Sequence, residues 1–175
     1  MMASTLGIKA GENMSDYCVV SMDGARARFF TIEPVPQPAV ESSPVLVEAQ
    51  EALINAEAEL SGGELWSDTK TGRNAAGGMA HGYDDHREQH VGEYRRRFAR
   101  RVADEAIRLA EQHRAKSLVI VAEKQMLGLV RGELHVPPKA VFEVRELARD
   151  LSRLAPLELQ SHLAAEGLVP PRQRR

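Results

Sequence analysis

The sequence predicts an α/β domain of three layers, a mixed β-sheet with helices on both faces. Residues 117–122 (SLVIVA) are apolar without a break, which is typical of a strand covered on both faces, and a helix pattern follows over 123–134. Residues 17–22 (YCVVSM) and 25–32 (ARARFFTI) are rich in strand-favouring residues and predict an N-terminal β-hairpin. A long helical pattern stands between these strands, and strands that alternate with helices favour the three-layer class.

Length and composition indicate one soluble globular domain. The chain has 175 residues, of which 43% are hydrophobic and 27% charged, and its single cysteine cannot form an internal disulfide bond. No stretch approaches the ~18 consecutive apolar residues of a membrane span. We therefore expect a cytoplasmic protein without a membrane partner, in which one domain (residues 17–165) lies between a flexible tail (1–16) and a basic tail (166–175).

The hairpin is centred on the dipeptide Asp23-Gly24, which favours a two-residue turn with a positive φ. In the second strand apolar and polar residues alternate, which predicts one apolar face. The opposite face begins with Arg26 and Arg28.

The segment between the hairpin and the long helix has no regular pattern. Residues 33–44 hold four prolines and predict a loop, after which 45–47 predict a short strand. Residues 48–60 favour a helix by propensity or an irregular edge of the sheet, and the pattern leaves both open. Residues 61–82 contain six glycines and predict a long exposed loop, which in compact domains is usually functional or disordered.

The second half of the chain alternates helix and strand patterns. Asp84 or Asp85 is expected to cap the long helix, in which apolar side chains recur at steps of three and four. A strand is expected over 140–144, and one or two helices over 147–163, interrupted at Pro156.

Charge is divided unevenly along the chain. Residues 29–69 contain no Lys or Arg, whereas residues 95–101 contain five arginines and no acid, although the net charge is only −2. These arginines can meet phosphates along one side of the helix, and the alternative is a solvated face with ion pairs four residues apart, such as Arg100 with Asp104. The predicted contacts to RNA or another anion are Lys70, Arg73, Arg95, Arg96, Arg97, Arg100 and Arg101.

The sequence contains no motif that identifies a catalytic, metal or cofactor site. His86 and His90 are four residues apart, but the glutamate between them is not next to the first histidine, as a zinc protease motif requires. None of the candidate nucleophiles Cys18, Ser21 and Ser67 lies in a nucleophile elbow. The sequence therefore predicts a protein without a catalytic residue, a bound metal or a cofactor.

Several short motifs occur in an order that resembles a known family. They are residues 23–29 (DGARARF), Ser67-Asp68 before the glycine-rich loop, the arginine-rich helix, 117–122, and the closing motifs 148–152 (ARDLS) and 154–159 (LAPLEL). In this order they resemble the bacterial host attachment protein family. That family is similar to the middle domain of archaeal and eukaryotic peptide-chain release factors, which implies an RNase-H-like α/β fold.

The resemblance also implies where function lies. In those release factors a loop with Gly-Gly-Gln precedes a basic helix and promotes hydrolysis of peptidyl-tRNA, whereas here Met79 follows Gly77-Gly78. A thioether cannot donate a hydrogen bond, so the resemblance does not extend to release activity. It implies a functional loop with Gly72, Asn74, Gly77, Gly78, Met79 and His81, and a hairpin motif with Asp23, Arg26 and Arg28.

We therefore expect a non-enzymatic protein that associates with the ribosome or with structured RNA, in a family linked to host-cell attachment. One alternative is a protein-interaction module that contacts a protein partner through the acidic segment 41–64. The other is a hydrolase of an ester or phosphoester that uses the loop together with His81, His86 and His90.

Overall fold

The computed structural model describes residues 14–35, 44–58 and 81–173, and for residues 81–90 it describes the backbone alone. In these ranges six strands form one sheet: β1 (Tyr17–Met22), β2 (Arg26–Glu33), β3 (Val45–Glu48), β4 (Leu53–Ile54), β5 (Ser117–Ala122) and β6 (Glu143–Ala148). The helices that accompany them are α1 (His81–Gln112), α2 (Lys124–Glu133) and α3 (Pro156–Ala165).

The sheet is mixed, as the sequence predicts. Its strand order is β3-β2-β1-β5-β6, with β4 also paired to β2. β2 is antiparallel to β1, β3 and β4, whereas β5 is parallel to both β1 and β6. The α/β class and the N-terminal hairpin are therefore confirmed, and the RNase-H-like fold implied by the resemblance stays a prediction.

Helices cover the sheet on both faces. On one face Phe98 of α1 and Met126 of α2 share a buried core with Phe29 of β2. On the other face Leu159 of α3 shares a second core with Phe30 of β2. The central strand β5 contributes to both cores and all six of its residues are buried, which explains why every residue after Ser117 is apolar.

The hairpin turn differs from the predicted type. Gly24 does not have a positive φ. Among the described residues, Arg114 and Gly167 do. Instead, the Asp23 carboxylate accepts hydrogen bonds from the backbone N–H groups of Ala25 and Arg26, both at 2.8 Å. An aspartate side chain thus closes the turn, and the predicted glycine-specific backbone is not needed.

Two predicted boundaries in the long helix and in the segment before it need correction. α1 begins at His81, so Asp84 and Asp85 lie inside the helix and do not cap it. Residues 48–60 contain β4 and a helical turn at 56–58, so the irregular sheet edge, and not a continuous helix, is the correct alternative for the described part.

The C-terminal elements are also shifted from their predicted positions. β6 occupies Glu143–Ala148 and not 140–144, because its parallel register on β5 starts with the pair Glu143 and Ser117. Pro156 begins α3 and does not interrupt a helix, since a proline in the first turn lacks only an N–H that has no helical partner.

Some predictions fall on residues that the structure does not describe. They include most of the predicted loop 61–82, most of the loop 33–44 and residues 1–13 of the N-terminal tail. In the ranges given above, no helix combines the length and the apolar character needed to cross a membrane.

Candidate nucleic-acid interface

A cleft lies at the carboxyl ends of the parallel strands. Asp23 directly follows β1, and Asp150 lies just beyond β6. Because β1, β5 and β6 are parallel, their carboxyl ends meet at one edge of the sheet, where open α/β sheets commonly bind ligands. The cleft has a volume of about 330 Å³, and its walls come from the hairpin turn, residues 55–58, residues 91–95 of α1 and residues 150–153.

Both carboxylate oxygens of Asp23 have hydrogen-bond partners. Oδ1 accepts from the two backbone N–H groups of the turn, and Oδ2 lies 3.2 Å from the Ser152 hydroxyl. The same hydroxyl lies 2.8 Å from Asp150 Oδ1, and Ser152 is only 6% exposed. The motifs 23–29 and 148–152 are thus far apart in sequence but meet at the cleft.

Arg28 joins the hairpin to the segment after β6. Its guanidinium donates to the backbone oxygen of Leu154 at 2.7 Å, and its Nε lies 2.7 Å from Glu48 Oε1. It also stacks over the Phe30 ring, 4.8 Å from the centroid. The positive charge of Arg28 is therefore balanced by Glu48 within the fold. Arg26, by contrast, is exposed on β2.

Arg95 reaches the cleft from α1. Its Nη1 donates to Gln125 Oε1 at 3.1 Å, and a Cβ added to Gly24 would lie 3.7 Å from its Nε. Gln125 is neutral, and no carboxylate in the described part of the chain forms an ion pair with Arg95. The Arg95 guanidinium therefore brings a positive charge to the cleft, and its hydrogen-bond partner Gln125 does not neutralise this charge.

Two further arginines of α1 pair with acids from other elements. Arg97 Nη2 lies 3.5 Å from Glu57 Oε1, and Arg100 Nε lies 2.8 Å from Glu133 Oε2. The hydrogen bond to Glu133 raises the pKa of Arg100. The alternative of a solvated face pairs Arg100 with Asp104. Arg100 instead contacts Glu133, because α2 packs beside α1 and brings this acid within reach, and the charge of Asp104 adds to the rise in the Arg100 pKa.

Arg96 and Arg101 are exposed on α1. Within the described ranges, neither side chain forms a hydrogen bond or an ion pair. At 100° per residue, positions 96, 97, 100 and 101 span roughly 140° of the helix surface, and Phe98 on the opposite side is buried. We call Arg96, Arg97, Arg100 and Arg101 the α1 arginine face.

Two of the candidate nucleophiles lie inside the sheet. Cys18 and Ser21 are fully buried in β1. Burial raises the pKa of the Cys18 thiol from 9.0 to about 12, so it is protonated at neutral pH. Neither group can reach a substrate in the folded state. Among the side chains that the structure describes, no three His, Cys, Asp or Glu residues are grouped so as to hold a metal ion.

The remaining predicted site residues lie outside the described side chains. These are Lys70, Gly72, Arg73, Asn74, Gly77, Gly78 and Met79, as well as His81, His86 and His90, for which only the helical backbone is described. Ala58 lines the cleft and is the last residue described before this segment.

Two residues that line the cleft, Asn55 and Arg153, belong to no motif from which the sequence would identify them as site residues. Asn55 is only 3% exposed, and its Nδ2 donates to the backbone oxygen of Gly24 at 3.0 Å. Arg153 is exposed and lines the cleft from the segment after β6. Ser152 belongs to a closing motif. Its backbone N–H donates a hydrogen bond to Asp150 Oδ1, which forms a local turn that the Asp-x-Ser spacing favours.

Comparison with known proteins gives a family match. Residues 18–163 match a family described as "Protein required for attachment to host cells". The matched range runs from β1 into α3 and includes the hairpin, the arginine-rich helix and both closing motifs. No curated protein matches the chain.

Proposed function

Because the chain belongs to the family of proteins required for attachment to host cells, we propose that it contributes to attachment by binding structured RNA, with the ribosome as the expected partner, without catalysing a reaction. The observation that carries this proposal is the α1 arginine face. Two of its guanidiniums, on Arg96 and Arg101, are exposed and have no ion pair in the described part of the chain.

The other two members of the face also support contacts to phosphate. The side chains of Arg97 and Arg100 are 54% and 66% exposed, although both are paired with acids. The Glu57 partner of Arg97 is 39% exposed. Exposed ion pairs contribute only about 0–1 kcal/mol, so a phosphate can replace this carboxylate at little cost. Four arginines on one exposed arc therefore suit a backbone of phosphates.

The sequence before α1 contains further groups that can bind phosphate. Lys70 and Arg73 precede the helix in a glycine-rich segment, and backbone N–H groups of such segments bind phosphate well. Contacts of this kind read the shape of RNA and its phosphates, and they do not select a base sequence. We therefore expect recognition of structured RNA with little sequence specificity.

The positions of two candidate nucleophiles argue against a hydrolase that uses either of them. Cys18 and Ser21 are buried in β1, on a strand that packs against helices on both faces. A hydrolase built on either residue would require the sheet to open.

The proposal is tested by measuring the affinity for a labelled RNA hairpin as a function of salt concentration. The test variant is Arg96→Glu with Arg101→Glu, and the matched control is Lys116→Glu with Lys139→Glu. Both control lysines are exposed, and they lie near the amino ends of β5 and β6, away from the cleft. Each double variant changes the net charge by the same amount.

If the α1 arginine face binds phosphates, the test variant binds RNA more weakly. Its plot of log K against log salt is also less steep, because the magnitude of the negative slope decreases by about two. The control variant retains most of the affinity and the slope of the wild type. An equal loss in the two variants would show that only overall charge matters, and the proposed surface would be wrong.

A further inference from the structure

Strand β6 lies at one edge of the described sheet and offers backbone groups for a further strand. Its neighbour β5 lies on one side, and the described ranges place no strand on the other. The N–H of Glu143 donates to the backbone oxygen of Lys116 at 2.9 Å, so Glu143 and every second residue after it direct their backbone polar groups toward β5. The N–H and C=O groups of Val144 and Glu146 therefore point away from the sheet, and the described part of the chain gives them no hydrogen-bond partner.

The side chains of β6 decide which strand this edge can accept. An open edge is a template for another strand, and charged side chains are a common means of blocking it. β6 carries three charged residues, Glu143, Arg145 and Glu146. Opposite charges that face each other across a strand pair stabilise it, whereas like charges destabilise it. The effect of these charges therefore depends on the register of the pair.

A second copy of β6 fits this edge in one register. Two copies related by a two-fold axis perpendicular to the sheet pair antiparallel, and the residue on the axis lies opposite its own copy. An axis at position 143, 145 or 146 places two carboxylates or two guanidiniums opposite each other. An axis at Leu147 places Arg145 opposite Arg149, which is again a pair of like charges. An axis at Val144 instead places Glu143 of each copy opposite Arg145 of the other.

The backbone and the side chains both suit the register centred on Val144. Because the backbone groups of Val144 point outward, two copies of this residue can exchange both of their hydrogen bonds. Glu143 and Arg145 then form the flanking pairs without hydrogen bonds, in which opposing side chains are closest. Both side chains lie on one face of β6, since Arg145 Nε is 3.8 Å from Glu143 Oε1. They are 67% and 35% exposed for Glu143 and Arg145, so a second copy can reach them.

An exposed apolar side chain lies next to this edge. Val141, two residues before β6, is 82% exposed, the largest value for a large hydrophobic residue in the described ranges. If the pairing centred on Val144 continues by two residues beyond β6, Val141 lies opposite Leu147 of the second copy. Leu147 is partly buried against the core under α3, so the pair extends an apolar surface that already exists.

From these features we propose that the β6 edge binds a second copy of this chain, with a two-fold axis at Val144. The two sheets then join into one continuous sheet, and two ion pairs between Glu143 and Arg145 flank the axis. The complementary charges on β6 select the same chain as the occupant. The inference goes beyond the proposed function, because the dimer forms without RNA.

The test is sedimentation equilibrium of the full chain over a range of protein concentrations. We expect the wild type to form a dimer, and Glu143→Arg to raise its dissociation constant roughly tenfold by replacing two attractive pairs with repulsive ones. Arg145→Glu should have a similar effect. When the two variants are mixed, opposite charges face each other again, and a heterodimer should form with close to wild-type affinity.

The matched control is Glu158→Arg, which makes the same charge change in the first turn of α3. Glu158 is exposed, and α3 packs against β3 at the opposite edge of the sheet. This variant should dimerise like the wild type. Glu143 is also exposed, so Glu143→Arg is expected to fold, which its circular dichroism spectrum checks.

Amide hydrogen exchange locates the interface independently. The outward N–H of Val144 should exchange more slowly as the protein concentration rises, because the dimer gives it an acceptor. A wild type that is monomeric at every concentration would overturn the proposal. So would a dimer that Glu143→Arg leaves unchanged, or a mixture of the two variants that stays monomeric.

Discussion

The Ser152 hydroxyl lies 3.2 Å from Asp23 Oδ2, although 129 positions separate the two residues in the chain. This contact ties the hairpin turn after β1 to the segment after β6. The same segment is held by Arg28, which donates to the backbone oxygen of Leu154. Two polar contacts therefore fix the geometry of the wall that carries Asp150 and Arg153.

Replacing Asp23 should destabilise the fold through the turn that it closes. Asp23→Ala removes the acceptor of two backbone N–H groups, while the Ser152 hydroxyl keeps Asp150 as an acceptor. We expect a loss of roughly 2 kcal/mol in the free energy of unfolding. Urea denaturation measures this loss. The control Asp16→Ala removes only an exposed carboxylate that pairs with Lys116, and should change stability by less than about 1 kcal/mol. Equal effects of the two substitutions would contradict the role of Asp23.

Gly24 should tolerate a side chain, despite its place in an Asp-Gly turn. Its φ is not positive, and an added Cβ would meet Arg95 Nε at an ordinary contact distance of 3.7 Å. Gly24→Ala should therefore raise the free energy of unfolding by about 0.4–1 kcal/mol, because it restricts the unfolded chain. Gly167→Ala is the contrasting variant, since Gly167 has a φ of 67° and a side chain there is strained. A marked loss of thermal stability in Gly24→Ala would argue against the observed turn.

Arg28 should be required for stability, and not for RNA binding. Arg28→Met removes a hydrogen bond to a backbone oxygen and an ion pair with Glu48, which should cost roughly 2 kcal/mol. Arg26→Met, on an exposed neighbour, should cost less than about 0.5 kcal/mol. Chemical denaturation and the RNA hairpin assay together separate the two roles. Loss of RNA binding in a folded Arg28→Met variant would show that this charge contacts RNA after all.

Cys18 should make the fold sensitive to alkaline pH. Its pKa is raised from 9.0 to about 12 by burial, so above pH 9 the unfolded chain releases a proton that the folded chain retains. The free energy of unfolding therefore falls as pH rises between these values, by up to about 1.4 kcal/mol per pH unit. The difference in stability between wild type and Cys18→Ala should shrink over this range. A constant difference, or rapid alkylation of the native thiol at pH 8, would contradict the burial.

The parts of the fold that the sequence predicts correctly are those with a strong local pattern. Residues 117–122 and the hairpin strands are apolar or alternating because each contacts a core. The predicted position of β6 is wrong because its sequence, EVRELA, carries charges: β6 lies at the edge of the described sheet, and its side chains are only partly buried. The predicted turn type is wrong because the Asp23 side chain closes the turn.

The site was harder to predict because its members meet only through long-range contacts. The arginines of α1 were identified from their density, but their partners Glu57 and Glu133 come from other elements and could not be paired from spacing. Arg153 and Asn55 enter the cleft only because parallel strands bring distant segments to one edge of the sheet. Local sequence patterns do not contain this information.

The most direct test of the central claim is co-sedimentation of the purified protein with ribosomes at low and moderate salt. Wild type is compared with the double variant Arg96→Glu, Arg101→Glu and with the control Lys116→Glu, Lys139→Glu. We predict saturable association that weakens with salt, is lost in the arginine variant and is retained in the lysine control. No association of the wild type at low salt, or equal association of all three proteins, would contradict an RNA-binding role for the α1 arginine face.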